Sequence, residues 1–419
     1  MSAVPSDDQV LAALRTIRAD QPELGLKKIH EKLKQESEFS LSFEVCALRL
    51  CRFLYSFFSF PSCSVQRLRR LSNLLFVVRP VEGKELGAIA TKAILPGQCV
   101  IRESPIIIAP EASQVLEAIP RLSPAAHKAF FALSAHGPGE TVAERIFKSN
   151  AHAWASHAAL FPTLPRFNHD CTPNCAYQLE IENGTSAFFA IRPVEPDEEL
   201  CISYCQRVQP RIVRRKQLSD SYAFLCQCST CTDPNYQESD RRRQAARTLD
   251  DVVPKTKSFK KRLQMIHLRL QLLFEEGLIG PDMARSLNDA VQICAMEGEL
   301  EQTRRYAHLS ARMYLRGGNI AASEESRKWI EEPESHPQAA KGVKSGKPYT
   351  PLPAIPDSGA TMIAELKDQL GFSAQEDKMF RDECLQEAQR TIDTLTEKNQ
   401  AQMICAQDRL GWPTESRAV

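Results

Sequence analysis

The alternation of apolar and polar positions changes style along the chain. Runs with a period of two predict short strands at Phe76-Val77-Val78, at Gly87-Ala88-Ile89-Ala90-Thr91 and at Cys99-Val100-Ile101-Arg102, the last entered through a Pro96-Gly97 turn. Tyr177-Gln178-Leu179-Glu180-Ile181 and Ser186-Ala187-Phe188-Phe189-Ala190-Ile191 flank Asn183-Gly184, which predicts a hairpin. Beyond Asp233 the period lengthens. Phe259, Leu263, Ile266, Leu270 and Leu273 step by fours and threes, as do Met283, Leu287, Val291 and Cys294, and Leu300, Tyr306 and Tyr314 continue the pattern. That spacing lines one face of successive helices and makes 241–332 a helical region.

The flanks read more simply. Segment 1–44 predicts a helical hairpin, with a Ser6/Gln9 capping box, Val10, Leu14 and Ile17 on one face, then Pro22 opening a second helix along Leu26, Ile29 and Leu33. Segment 105–161 also reads as helical, with Ser123 and Pro124 as an N-cap and first-turn pair. Prolines, glycines and lysines make 333–357 a linker, and 358–419 a charged, weakly amphipathic helical tail. Block 45–66 is out of character, crowding Phe53, Leu54, Tyr55, Phe57, Phe58 and Phe60 beside cysteines. A membrane span needs roughly twenty apolar residues, and Arg49, Arg52 and Pro61 interrupt this block, so it reads instead as a retained intron in the gene.

Composition narrows the class. A chain of 419 residues with 43% hydrophobic and 25% charged positions is an ordinary globular protein of two or three domains. A net charge of +1 provides no field for phosphate backbones, so no nucleic-acid partner is expected, and neither is a membrane. Fourteen cysteines without a leading apolar export segment predict thiols in a reducing compartment, cytoplasm or nucleus.

Three stretches carry chemistry. Arg166-Phe167-Asn168-His169-Asp170-Cys171-Thr172-Pro173-Asn174 packs amides, an imidazole and a thiol around a proline that forbids a helix, so it predicts a fixed irregular loop. Pro196-Asp197-Glu198-Glu199-Leu200-Cys201-Ile202-Ser203-Tyr204 places two carboxylates at a turn and runs on as a strand ending at a tyrosine. Tyr222-Ala223-Phe224-Leu225-Cys226-Gln227-Cys228-Ser229-Thr230-Cys231 ends in a C-x-C-x-x-C cluster. Disulfides are one account of that cluster, but its odd number and the absence of an export signal favour a metal ion, zinc above all.

Together these stretches resemble the SET-domain protein lysine methyltransferases, in the SET-and-MYND-like branch without the MYND zinc finger, as among fungal SET-domain proteins. The motifs are N-H-x-C-x-P-N at Asn168 to Asn174, E-E-L-x-x-x-Y at Glu198 to Tyr204, and the cysteine cluster. The resemblance covers residues 75–234 well and 259–337 loosely.

It implies an α+β fold of small β-sheets with a knot-like C-terminal crossing. The SET halves would be 75–104 and 162–210, around a helical insert at 105–161. A post-SET zinc element would occupy 211–234, before tetratricopeptide-like helices in which no clean repeat is seen. It implies S-adenosylmethionine (AdoMet) as methyl donor and a protein lysine, on a histone or another protein, as acceptor. A monomer is expected. Structural zinc would be held by Cys171 with Cys226, Cys228 and Cys231; Tyr204 and Tyr222 would be catalytic; and Lys84, Glu85, Gly87, Asn150, Asn168, His169, Tyr204 and Phe224 would bind the cofactor. The alternative role for Asn150 is a helix C-cap. Glu85 departs from the family's G-K-G-x-G, and a negative charge beside AdoMet's carboxylate is expected to weaken binding. The rival reading is therefore a zinc-stabilised SET-fold scaffold of weak or no activity.

Overall fold

Nine strands form among the described residues: β1 (Phe76–Pro80), β2 (Leu86–Ala90), β3 (Cys99–Glu103), β4 (Ile107–Ala109), β5 (His152–Trp154), β6 (His157–Leu160), β7 (Cys175–Glu180), β8 (Thr185–Ala190) and β9 (Glu199–Leu200). They pair as three antiparallel sheets, in the orders β1-β2-β9, β3-β8-β7 and β4-β6-β5. The computed structural model describes residues 75–136, 139–339 and 374–410, the last with side chains for 375–397. The readings for 1–44, 45–66, 340–373 and 411–419 lie outside the described residues.

The registers follow the burial pattern. Ile101 and Tyr177 both face Phe188 across β3-β8-β7, and Phe188 is fully buried. The β7–β8 connection runs through 181–184, with Gly184 alone in the left-handed region (φ 63°), so the glycine closes a four-residue loop rather than a two-residue turn. Val100, Ile101, Phe161, Phe188 and Phe167 form the core beneath these sheets. Phe167 belongs to no strand, yet its ring meets Phe76 at 5.2 Å and Phe188 at 4.7 Å, edge to face. Burying such a ring stabilises by about 1.5–3 kcal/mol. That burial anchors an otherwise irregular loop.

Segment 105–161 is only partly helical. It contains α1 (Pro124–Phe131) and α2 (Val142–Asn150), but β4, β5 and β6 form a sheet of their own inside it. Three- and four-residue strands are too short to show a period, and Ile106-Ile107-Ile108 is as compatible with a helix face as with a strand. Ser123 does cap α1, accepting from the Ala126 N–H at 3.2 Å, and Thr141 with Glu144 forms a full capping box on α2.

The helical region comprises α3 (Arg211–Tyr222), α4 (Tyr236–Val252), α5 (Phe259–Glu275), α6 (Pro281–Glu297), α7 (Leu300–Arg316), α8 (Ile320–Glu331) and α9 (Ala374–Leu410). Leu263, Ile266, Leu270, Leu273, Met283, Leu287, Val291 and Cys294 all fall in one buried cluster, as the spacing requires. α9 packs against α3 and α4. Among the described residues no helix is long and apolar enough to cross a membrane.

Candidate active site and metal centre

The central loop is held by its own asparagines. Asn168 donates through Nδ2 to the Leu86 carbonyl (3.0 Å) and to Glu199 Oε1 (2.8 Å), while Glu199 Oε2 accepts from Lys84 Nζ (2.6 Å). Asn174, almost fully buried, donates to Glu198 Oε1 (2.9 Å) and the Glu199 carbonyl (2.8 Å) and accepts the Cys201 N–H (2.8 Å). The paired carboxylates of the sequence thus brace two amides of the loop. Burial alone would lower the Lys84 pKa, but the groups around it, Glu199 foremost, together outweigh burial and hold the ammonium above its ordinary value. Asp170 accepts the Thr172 N–H (2.7 Å) in a local turn, so an acid is tolerated there.

Only Glu199–Leu200 of the expected strand to Tyr204 is regular. Past it, Cys175 N–H donates to the Cys201 carbonyl, Asp170 N–H to Ile202, and Ile202 N–H to Asn168. The backbone is satisfied by the irregular loop and the first residue of β7 instead of a continued pairing with β2, which ends the ladder. Asp197, at the turn before it, is left-handed with φ 63°.

These contacts bring the rings together. His169 is 5% exposed, and burial pushes its pKa down to about 4, so the ring is neutral. Its Nδ1 accepts the Tyr204 N–H at 3.0 Å, which leaves the ring proton on Nε2, 3.3 Å from Cys171 Sγ. The Tyr204 hydroxyl donates to the Phe167 carbonyl at 2.6 Å, and burial pushes that phenol above its ordinary pKa. The Tyr204 and Tyr222 rings lie 5.0 Å apart, and Phe224 lies 6.0 Å from His169. Tyr222 ends α3, and Ala223 caps it in the left-handed region (φ 58°), a conformation an alanine rarely takes.

The thiols of Cys171, Cys226, Cys228 and Cys231 all lie within 4.8 Å of one another, with Cys171 Sγ 3.6 Å from Cys231 Sγ and 4.0 Å from Cys226 Sγ. A tetrahedral zinc with Zn–S bonds of about 2.3 Å requires sulfurs roughly 3.8 Å apart. All four are free thiols, so no disulfide competes. The surroundings also fit an anionic cluster. Arg214 is fully buried, with Nε 3.2 Å from Cys171 Sγ and Nη2 3.7 Å from Cys231 Sγ, and its nearest carboxylate, Asp240, is 3.6 Å away. A buried guanidinium aimed at two sulfurs is costly beside thiols and favourable beside metal-bound thiolates. Arg211 and Arg215 hold the Cys231 carbonyl, each at 3.2 Å. The four cysteines therefore fit a structural zinc ion.

The remaining predicted residues are placed differently. Glu85 turns toward the insert, where its carboxylate accepts from the Ser134 hydroxyl and meets His136 Nε2 at 3.2 Å; the serine bond foremost pulls its pKa below the ordinary range. Asn150 ends α2 and spends both Nδ2 hydrogens on the Ile146 and Ser134 carbonyls, each at 2.7 Å. It acts as a clasp between helix and loop. Gly87 lies against protein: a Cβ there would meet Glu199 Oε1 at 2.7 Å, Val81 Cγ2 at 2.7 Å and Asn168 Nδ2 at 2.9 Å. Sequence reasoning missed Arg214 and the bracing role of Asn174. A basic pair on an amphipathic helix reads as solvated surface, and nothing in Arg214-Arg215 signals burial.

Comparison with known proteins places this geometry. Residues 85–205 match the SET domain family model. The histone-lysine N-methyltransferase set5 of Schizosaccharomyces pombe is 26% identical over 319 residues, spanning 74% of this chain and 97% of that protein. Histone-lysine N-methyltransferase SMYD3 of Mus musculus is 37% identical over 83 residues, and N-lysine methyltransferase SMYD2 of Gallus gallus 36% over 95. Those two matches cover 20% and 22% of this chain and only 19% and 20% of the relatives. Residues 85–205 are thus similar to SET domains, and the chain is similar to histone-lysine methyltransferases, SMYD proteins among them.

Proposed function

We propose that this protein transfers a methyl group from AdoMet to a lysine side chain of a protein substrate. The observation that carries the reading is the convergence, through direct contacts, of Asn168-His169, Tyr204, Tyr222 and Phe224 with the four-cysteine cluster. When bound, AdoMet supplies an electrophilic methyl group on a sulfonium centre. Its binding residues are Lys84, Gly87, Asn150, Asn168, His169, Tyr204 and Phe224. The Nδ2 donors of Asn168 and Asn150 are spent on protein, so these amides offer oxygen acceptors, suited to an ammonium. The Glu85 carboxylate is engaged by Ser134 and His136, which weakens the case for an inactive scaffold.

A lysine amine, with an ordinary pKa of about 10.4, must shed its proton before it can act as a nucleophile. An amine docked against the partly buried rings of Tyr204 and Tyr222, 5.0 Å apart, would be favoured in its neutral form by that apolar surface. Tyr204 does not serve as the base, since its phenol is held protonated and its hydrogen is committed to the Phe167 carbonyl. It offers instead a fixed oxygen lone pair that orients the amine. Cys171, Cys226, Cys228 and Cys231 would hold the zinc, which would fasten residues 226–231 to the central loop, the side of the site where Phe224 lies near His169. The bonds of residues 201 and 202 to 168–175 support a knot-like crossing, and the paired helices α5 to α8 support a tetratricopeptide-like region. Calorimetric titration with AdoMet, followed by transfer of labelled methyl to lysine in protein substrates, tests the reading. Saturable binding and a methyl-lysine product are expected; no saturable heat would return the protein to the scaffold class.

A further inference from the structure

Arg243 lies on α4, beyond the 85–205 match, and its side chain is fully buried. Its donors converge on the active-site loop. Nη1 donates to the Cys171 carbonyl (3.0 Å) and the Arg207 carbonyl (2.7 Å), and Nη2 to Thr172 Oγ1 (2.8 Å). Nε donates to Glu276 Oε2 (2.7 Å) and to Ser239 Oγ (3.2 Å). Thr172 Oγ1 in turn lies 3.0 Å from Thr230 Oγ1, beside Cys231. Just past α5, a Cβ on Gly277 would stand 2.9 Å from Thr172 Cγ2, so the helical layer is pressed directly against the loop. Buried charge of this kind is retained only where each hydrogen bond is made, and here one guanidinium fork spans both a carbonyl and a hydroxyl of adjacent loop residues.

We infer that Arg243 is a positioning residue for the active site: it sets the Cys171-Thr172 peptide from the helical layer. From there the link to the chemistry is short. Cys171 Sγ faces His169 Nε2 at 3.3 Å, and His169 Nδ1 holds the Tyr204 main chain at 3.0 Å. The helical layer therefore acts as part of the site's frame. The inference rests on the reading of Cys171 as a metal ligand and of Tyr204 as catalytic.

Arg243→Lys keeps a charge for Glu276 but cannot span the Cys171 carbonyl and the Thr172 hydroxyl together. Thr172→Val removes only the hydroxyl. Full-length wild type and both variants are loaded with cobalt(II), and the ligand-field and thiolate charge-transfer absorption is recorded beside AdoMet affinity by calorimetry and circular dichroism. Expected are folded variants with shifted cobalt spectra and AdoMet binding weakened at least tenfold in Arg243→Lys and less in Thr172→Val. Folded Arg243→Lys with wild-type spectrum and affinity overturns the inference. If Arg243→Lys does not fold, an unchanged spectrum and affinity in Thr172→Val overturn it. Wild type that takes up no cobalt overturns it too, because Cys171 would then hold nothing to position. Wild type that binds cobalt but not AdoMet sinks the proposed function instead, and the spectra still decide on Arg243.

Discussion

Gly87→Ala separates two explanations for one glycine. If the glycine serves only to let a cofactor approach, a methyl group there leaves the ligand-free protein unchanged. The structure says otherwise: the new Cβ would stand within 2.7–2.9 Å of Glu199 Oε1, Val81 Cγ2 and Asn168 Nδ2. Glu199 cannot simply swing aside, because it bridges Lys84 Nζ at 2.6 Å and Asn168 Nδ2 at 2.8 Å. Losing a hydrogen bond to a charged group costs about 1.5–3 kcal/mol, and overpacking a close-packed site about 1–3 kcal/mol. Relaxation shares these terms, so about 2–4 kcal/mol is expected in total, or a fall in melting temperature of roughly 2–5 °C in a protein of this size class. Thermal unfolding of the AdoMet-free protein measures it, with AdoMet titration in parallel. Val81→Ala in the same chain removes one of the three collisions and should restore part of the loss. A ligand-free melting temperature equal to wild type would refute the packing account, whatever happened to AdoMet binding.

Cys171→Ser should abolish stoichiometric zinc, measured by elemental analysis, and cost about 3–5 kcal/mol by leaving Arg214 buried without its thiolate; a variant that keeps its zinc contradicts the four-thiolate site. Tyr204→Phe removes the hydroxyl that holds the Phe167 carbonyl and should slow methyl transfer at least tenfold or change the number of methyl groups added, and unchanged kinetics and products count against its role. Asp197→Gly relieves a left-handed residue (φ 63°) and gives up only an exposed pair with Arg79 at 3.1 Å, so chemical denaturation should find it as stable as wild type or up to about 1 kcal/mol more so; a clear loss contradicts the strain argument. His152 stacks on Tyr177 at 5.2 Å, and burial pushes its pKa down to about 4. The unfolded imidazole takes up a proton near pH 6.5 while the folded one resists until about pH 4, so its contribution is complete above pH 6.5 and is lost as pH falls through that window, by at most about 3 kcal/mol. His152→Phe should flatten that part of the stability–pH curve, and an identical slope in both proteins would exclude it.

Some elements were legible in the residue order because their determinants are local. Ser123-Pro124 announces the start of a helix whichever partner that helix finds, and the step of three and four from Leu263 to Cys294 states which side must be buried. Strands β4, β5 and β6 escaped because three or four residues carry no usable period. The end of regular strand after Leu200 escaped for a different reason: its hydrogen-bond partners, Asn168, Asp170 and Cys175, lie about thirty residues earlier, and no local pattern encodes such a pairing.

The candidate site divides the same way. The order of residues carries the resemblance to SET domains, in the loop at 168–174, Tyr204 and the thiol cluster, because such a motif is a property of the linear sequence. Only the folded chain decides what each does. It turns Glu85 toward Ser134 and His136, makes Asn150 a clasp, gives Gly87 three protein neighbours, and buries Arg214 and Arg243 against the loop. Chemical identity is a property of single residues and survives in the linear order, whereas burial, charge pairing and steric contact arise between residues far apart in it, and exist only once the chain has closed upon itself.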